Sequence, residues 1–292
     1  DLMLRVSARA VTCEFQGGEA LLNFSLVQDI VLYATERNQS IGKFIDFVIC
    51  TNLSNLTDAH LLFFKEHNIK ISSSLDGPAF LHDHNRLCSR GSSHALVEYN
   101  IRRAQEALGR ENVSVLMTTT KESLAYPMEI IDEYLRLNLG SIVLRSLSPF
   151  GFATKTMKTI GYSSEEFIEF YKKALDYILE LNRQGHSFAE GFATLLLSKI
   201  LTPFPNSYVD LQSPAGAGFS AVAYNYDGEV YASDEARMLA EMNDTSFRLG
   251  NVLDNSYEQI FFGERMQAIA AASCNEALAG CADCALQPYC GA

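Results

Sequence analysis

Between Val11 and Leu147 the chain alternates short apolar runs with helix-length amphipathic stretches, and this alternation constrains the fold more than any other feature. The runs are VTCEFQ from Val11, FIDFVIC from Phe44, IKISSSL from Ile69, VSVLMTTT from Val113 and SIVLRSL from Ser141. Each has strand length and most are rich in β-branched residues, which predicts five buried strands. Between them, LTDAHLLFFKEH opens with an N-cap at Thr57, SSHALVEYNIRRAQEALG stops on Gly109 and PMEIIDEYLRLNLG stops on Gly140. Repeated β–α–β order implies a parallel sheet, because parallel neighbours need a crossover, and that crossover is nearly always right-handed. The predicted class is α/β.

Two more helices follow. SSEEFIEFYKKALDYILELNRQG opens with the capping box Ser163-x-x-Glu166 and places Phe167, Phe170, Tyr171, Ala174, Ile178 and Leu181 on one face. After LTPFPNSYVDLQSPAGAG the texture changes. Pro, Gly and Ser accumulate, and FSAVAYNYDGEVYASDE reads as a hairpin turning at Asp227-Gly228. A boundary near residue 210 is expected, with one domain over 1–209 and a second over 210–292.

Composition narrows the function. The 292 residues carry 23 Lys and Arg against 35 Asp and Glu, a net charge of −12, with no strong basic run. That argues against nucleic acid or an anionic membrane as the main partner. No apolar run approaches the ~18 residues of a membrane span. DLMLRVSARAVTCEFQ at the start lacks the basic and then apolar pattern of a secretory signal. Of the seven cysteines, Cys13, Cys50 and Cys88 are scattered singly, whereas Cys274, Cys281, Cys284 and Cys290 fall within the last 19 residues. A secreted disulfide scaffold would be shorter and paired. A reducing, cytoplasmic compartment is expected, where a cysteine cluster reads as metal binding.

Two stretches carry candidate chemistry. In FQGGEALLNF, Gly17 and Gly18 follow a predicted strand and precede a predicted helix. They lie at the carboxyl end of a parallel sheet, where α/β proteins bind ligands. Paired glycines admit a ligand close to the backbone, although a tight turn explains them equally well locally. In SSSLDGPAFLHDHNR, Ser74 and Asp76 reach the same rim, and Asp76-Gly77-Pro78 is also a plain turn signature. His82, Asp83 and His84 have no helix-spaced Glu or His partner, so hydrogen bonding or capping is expected of them rather than metal ligation.

Taken in order on successive strands and loops, FQGGE, TNL (Thr51 to Leu53), SLDGP and HDHNR resemble radical S-adenosylmethionine enzymes. DGEVYASDE, RLGNV from Arg248 and CADCALQPYCG resemble the accessory SPASM domain of their peptide- and protein-modifying branch. The resemblance covers nearly the whole chain and is nearest to His-Xaa-Ser system maturases and anaerobic sulfatase-maturating enzymes. It implies a partial (β/α)6 barrel lacking its first strand, followed by a small Cys-rich SPASM-like domain. It further implies that Gly17, Gly18 and Glu19 bind the methionine end of S-adenosyl-L-methionine, with Ser74 a second contact and Asn52 at the same rim. Gln16 corresponds to a position facing substrate. Asp234 corresponds to a proposed base, a carboxylate that accepts a proton as a substrate radical collapses; its bland reading is a solvated residue ending a strand.

Two departures qualify the resemblance. The C-x3-C-x2-C loop, whose thiolates hold the radical-generating 4Fe–4S cluster, is absent from the sequence. With five strands read where the barrel wants six, that loop is expected upstream of Asp1, and this chain alone is expected to be inactive. Secondly, Ser233 stands where the hairpin cysteine belongs, and no cysteine lies between Cys88 and Cys274. One auxiliary 4Fe–4S cluster on Cys274, Cys281, Cys284 and Cys290 is therefore the implied arrangement. The same spacing suits a tetrathiolate zinc site.

The expected function is a radical maturase, present here as a fragment, that modifies a peptide or protein through hydrogen abstraction by a 5′-deoxyadenosyl radical. Its expected partners are a peptide or protein substrate and an external electron donor, with no nucleic acid and no membrane. The alternative is a non-catalytic peptide-binding protein with a structural zinc site. A generic α/β barrel enzyme with a zinc tail leaves the ordered motifs unexplained.

Overall fold

The structure is a computed structural model and describes residues 1–89, 91–151, 153–204 and 208–291. It divides into two compact units, Asp1–Leu147 with Thr159–Gly191 and Ser148–Lys158 with Phe192–Ala292. This is a division by packing. The sequence boundary near 210 marks a change of motif and remains a proposal about domains. No helix among the described residues is long and apolar enough to cross a membrane.

In chain order the elements are α1 (Leu2–Arg5), β1 (Ala10–Phe15), α2 (Phe24–Asn38), β2 (Phe44–Cys50), α3 (Asp58–Glu66), β3 (Ile69–Ser74), α4 (Ala79–Asn85) and α5 (Ser93–Leu108). They continue with β4 (Val113–Leu116), α6 (Pro127–Arg136), β5 (Ser141–Ile142), α7 (Ala153–Ile160), α8 (Ser164–Arg183), β6 (Ala189–Glu190) and α9 (Gly191–Leu201). Strands β1 to β4 form one parallel sheet in sequence order, with Cys13 opposite Phe47, Ile49 opposite Ile71 and Ser74 opposite Leu116. Strand alternation then sorts the side chains. Phe47, Ile49, Ile69, Ile71, Val113 and Val115 are buried with helix residues such as Val31, Phe64, Ile101 and Ile130. Each such burial contributes about 1.5–3 kcal/mol. Glu14, Asp46, Lys70, Ser72, Ser74 and Ser114 alternate onto the other, polar face, where Lys70 donates to Asp46 at 2.9 Å.

Local signals explain most helix ends. Thr57 caps α3 and His60 closes the box from the third position. α5 stops at Gly109, whose φ of +91° favours glycine. Ser163 and Glu166 form the reciprocal cap of α8, and Phe170, Ala174, Ile178 and Leu181 are buried along its face. α6 corrects the expectation. It ends at Arg136 rather than running to Gly140, because Asn138 takes the left-handed conformation at φ +55° and Leu139 N–H returns to the Tyr134 carbonyl at 3.0 Å.

All five expected strands form, as β1 to β5, and a further strand that the sequence reading did not include, β6, follows. β6 pairs in parallel with β5, Ser141 opposite Ala189. It is only two residues long, too short to register as an apolar run. The count alone therefore carries no inference about chain outside these residues. The second unit holds an antiparallel sheet of β7 (Ala223–Tyr224), β8 (Glu229–Tyr231) and β9 (Arg248–Asn251), with α10 (Asp234–Glu241), α11 (Tyr257–Phe261) and α12 (Glu264–Ala272). Its hairpin turns at Asp227-Gly228, where Gly228 has φ +84° and Asp227 Oδ1 accepts from Glu229 N–H at 3.0 Å.

Candidate functional site

The carboxyl ends of β1, β2 and β3 gather the first group of residues. After Phe15 the chain passes through Gln16, Gly17 and Gly18, then Glu19 caps a short 3-10 turn by accepting from Leu21 N–H at 3.1 Å. Gly17 has φ +150°, and a Cβ built on Gly17 or Gly18 would meet no atom within 4 Å. The backbone there borders open space. Glu19 Oε1 also accepts from the Thr51 hydroxyl at 2.6 Å, and Oε2 accepts from Asn52 N–H at 2.9 Å. A carboxylate offers about four lone-pair sites, so three donors leave room for one more.

The segment after β2 is built to hold that geometry. Thr51 is buried, and its oxygen accepts from Leu53 N–H at 3.0 Å. Leu53 is fully buried at φ +60°, an uncommon conformation for a branched residue. Its carbonyl accepts from buried Asn100 at 2.9 Å. Ser74 ends the adjacent strand β3, whose Ser72 carbonyl accepts from Thr51 N–H at 3.0 Å. Gln16 is exposed and donates to Glu14 Oε1 at 2.5 Å.

Beyond Ser74 the chain is locked rather than open. Asp76 is 1% exposed, accepts from Arg86 Nε at 2.8 Å and from a terminal guanidinium nitrogen at 3.0 Å, and also takes Thr118 N–H at 3.0 Å. His82 Nδ1 accepts from Asp76 N–H at 3.2 Å. Burial pushes the His82 imidazole down to about 4. Asp83 accepts from His94 N–H at 2.7 Å, and His84 pairs with Glu122 at 3.1 Å. These side chains serve hydrogen bonding, and Tyr134 adds a bond from its hydroxyl to the Leu75 carbonyl at 2.7 Å.

A polar group that the sequence did not disclose lies on α5 and α6. His94, Glu98 and Glu133 bring one ligand atom each within 4.8 Å of one another. The Arg136 guanidinium already spans both carboxylates at 2.6 to 2.8 Å and stands where a cation would sit. Its hydrogen bonds hold Glu98 down at about 2.

In the second unit, Asp234 is the first residue of α10, capped by Ser233, and it pairs with Arg237 at 3.3 Å. It starts a helix instead of ending a strand. Cys274, Cys281, Cys284 and Cys290 lie on a run of turns and are half-exposed or exposed. Among the described residues no three of their sulfurs lie within 4.8 Å of one another. A tetrahedral zinc site with Zn–S of about 2.3 Å needs sulfurs about 3.8 Å apart. Four thiolates are nonetheless the soft donor set that zinc and iron–sulfur clusters share. Asn275, 2% exposed, joins the ends of the run by donating from Nδ2 to the Cys290 carbonyl at 3.2 Å.

No protein-family model matches the chain. An uncharacterized protein of Synechocystis sp. is 28% identical over 211 residues, which cover 70% of this chain and 50% of that protein. One of Methanocaldococcus jannaschii is 27% identical over 165 residues, 56% of this chain and 54% of that protein. The chain thus spans about half the length of these curated relatives. Among solved structures, the anaerobic sulfatase-maturating enzyme anSMEcpe with bound AdoMet and Kp18Cys peptide matches 99% of this chain and 77% of its own, at TM-score 0.77 and 18% identity. The chain shares the fold of this radical S-adenosylmethionine enzyme.

Streptococcus suis SuiB bound to precursor peptide SuiA shares it, at TM-score 0.64 and 14% identity over 96% of this chain and 60% of that one. In this chain β1 to β4 form one parallel sheet and β5 pairs with β6 in a second. The barrel rim offers open space at Gly17 and Gly18 beside a carboxylate with spare acceptor capacity. Such a cradle suits a ligand that brings a positively charged donor close to the backbone.

Proposed function

We propose that this chain belongs to a radical S-adenosylmethionine maturase that modifies a peptide or protein. The observation that supports this most is the Glu19 carboxylate, fixed by Thr51 and Asn52 beside two open glycines, at the rim of a fold shared over 99% of the chain. When bound and reduced, S-adenosylmethionine supplies the oxidising radical that removes a substrate hydrogen. The chain's own residues bind and orient. Gly17 and Gly18 let the methionine end approach the backbone, and Glu19 accepts from its ammonium. Ser74 and Asn52 border the same rim, and Gln16 faces substrate.

Asp234 is the proposed proton acceptor, and Arg237 pairs with it at 3.3 Å. Cys274, Cys281, Cys284 and Cys290 are the proposed ligands of one auxiliary 4Fe–4S cluster. The three-cysteine loop that starts radical chemistry is not in the 292 residues, so turnover is assigned to a form that holds one. An electron donor and a cytoplasmic setting belong to the same proposal.

The test compares this chain with one extended upstream of Asp1, both reconstituted anaerobically with iron and sulfide. Iron, sulfide, zinc and 5′-deoxyadenosine per chain are measured with a reductant present. One cluster on this chain, two on the extended one and cofactor cleavage only in the latter are expected. Zinc on both with no cleavage would instead favour a peptide-binding protein.

A further inference from the structure

The last ligand of the cysteine run is held by three separate pieces of the second unit. Lys199, in the last turn of α9, donates from Nζ to the Cys290 carbonyl at 3.1 Å and also to the Leu211 carbonyl. Asn275 donates to the same Cys290 carbonyl at 3.2 Å, while its own N–H donates to Ser213 Oγ at 3.0 Å. Gly291 packs against the Asp210 backbone so closely that any Cβ there would collide with the Asp210 carbonyl. A surface tail needs none of this. Two donors, one charged and one 98% buried, converge on one carbonyl, and the next residue fits only as glycine.

The charges point the same way. From Met266 to Ala292 the sequence has Glu276 and Asp283 but no Lys, Arg or His. Lys199, 91 residues upstream of Cys290, brings a cation to this segment. A centre held by four thiolates is anionic, and its reduction potential depends on nearby charge and hydrogen bonds.

We infer that Lys199 and Asn275 are positioning residues for the Cys290 ligand, and that the Lys199 charge raises the reduction potential of the cluster held there. This rests on the four cysteines being ligands, as proposed above. The carbonyl bonds fix the Cys290 backbone before any metal arrives, and the ammonium offsets part of the negative charge that reduction adds.

The test uses Lys199→Met, Lys199→Gln and Lys199→Arg on the full 292-residue chain, with Asn275→Ala as an independent second site. In the metal-free protein, iodoacetamide alkylation of Cys290 is followed by mass spectrometry relative to Cys284 in the same molecule. Losing one carbonyl bond is expected to raise that ratio about fivefold in Lys199→Met and Asn275→Ala, with Lys199→Arg near the parent. After anaerobic reconstitution, a redox titration monitored by electron paramagnetic resonance is expected to give a lower midpoint potential in Lys199→Met and Lys199→Gln. An unchanged ratio in both Lys199→Met and Asn275→Ala overturns the positioning role, and an unchanged potential in Lys199→Gln overturns the electrostatic one. Zinc in place of iron with a raised ratio keeps the positioning role, overturns the electrostatic one and counts against the radical function.

Discussion

Thr51 Oγ1 donates to Glu19 Oε1 at 2.6 Å, so a residue just past β2 fixes the one carboxylate of the loop after β1. The same oxygen of Thr51 accepts from Leu53 N–H, which ties Glu19 to a buried segment of uncommon conformation. Glu19 is therefore held in place before any ligand reaches the rim.

Glu19→Gln removes the charge and keeps the shape. A hydrogen bond to a charged group contributes about 1.5–3 kcal/mol, so affinity for S-adenosylmethionine should fall about 10- to 100-fold. Thr51→Val should weaken it less, since it removes a donor that only orients the carboxylate. Equilibrium dialysis with labelled cofactor on the reconstituted, extended chain reads both. Equal affinity in Glu19→Gln and parent would remove Glu19 from the site.

The two glycine segments should separate stability from binding. A Cβ at Gly77 would lie 2.9 Å from Ile130 Cγ1, at a φ of +130° that side chains avoid. Gly77→Ala should cost about 1–3 kcal/mol in urea denaturation. Gly18→Ala meets open space and should leave stability within about 0.5 kcal/mol of the parent, as surface changes do, while blocking the cofactor. Loss of stability in Gly18→Ala with binding intact would reverse that assignment.

Asp76 carries three donors while 1% exposed. Removing one partner of a buried ion pair costs about 3–5 kcal/mol. Arg86 is 34% exposed, so Asp76→Ala should sit at the lower end, about 3 kcal/mol, by urea denaturation. A change below about 1 kcal/mol would show that the SLDGP turn stands without its ion pair.

His82 sets a pH dependence. The folded protein keeps the buried imidazole neutral down to about 4, whereas the unfolded chain takes up a proton near 6.5. Between these values the unfolded state binds more protons, so stability is fully present above pH 6.5 and falls as pH drops towards 4. The span corresponds to roughly 3 kcal/mol. His82→Asn keeps an acceptor for Asp76 N–H and removes the titration. Its stability at pH 7 should be lower and its slope over this window flatter; an unchanged slope would assign the dependence elsewhere.

The core strands were legible because β2 is mostly apolar around the single Asp46, and β3 alternates buried Ile69 and Ile71 with Lys70 and Ser72. β6 was not, since Ala189–Glu190 is two residues long and has no periodicity to read. The stop of α6 was ambiguous, because Asn138 and Gly140 both tolerate left-handed backbone. Burial of Leu139 and its bond to Tyr134 decide for Asn138. At the rim, motif order brought Gly17, Glu19 and Asn52 to one end of the sheet. The partners that hold them are a different matter. Thr51 is 32 residues from Glu19, and Asn100 is 47 from Leu53. Such contacts leave no trace in local spacing, and Lys199 reaching Cys290 is the extreme case. The local setting of Asp234 was less legible, because the Ser233 cap turns the end of the hairpin into a helix start.

The most direct test of the central claim is 5′-deoxyadenosine formation by the chain extended upstream of Asp1, fully loaded with iron and sulfide and supplied with S-adenosylmethionine and a reductant. Cleavage in the extended protein that is abolished or strongly reduced by Glu19→Gln is the predicted result. Full iron loading with no cleavage, or cleavage untouched by Glu19→Gln, would contradict it.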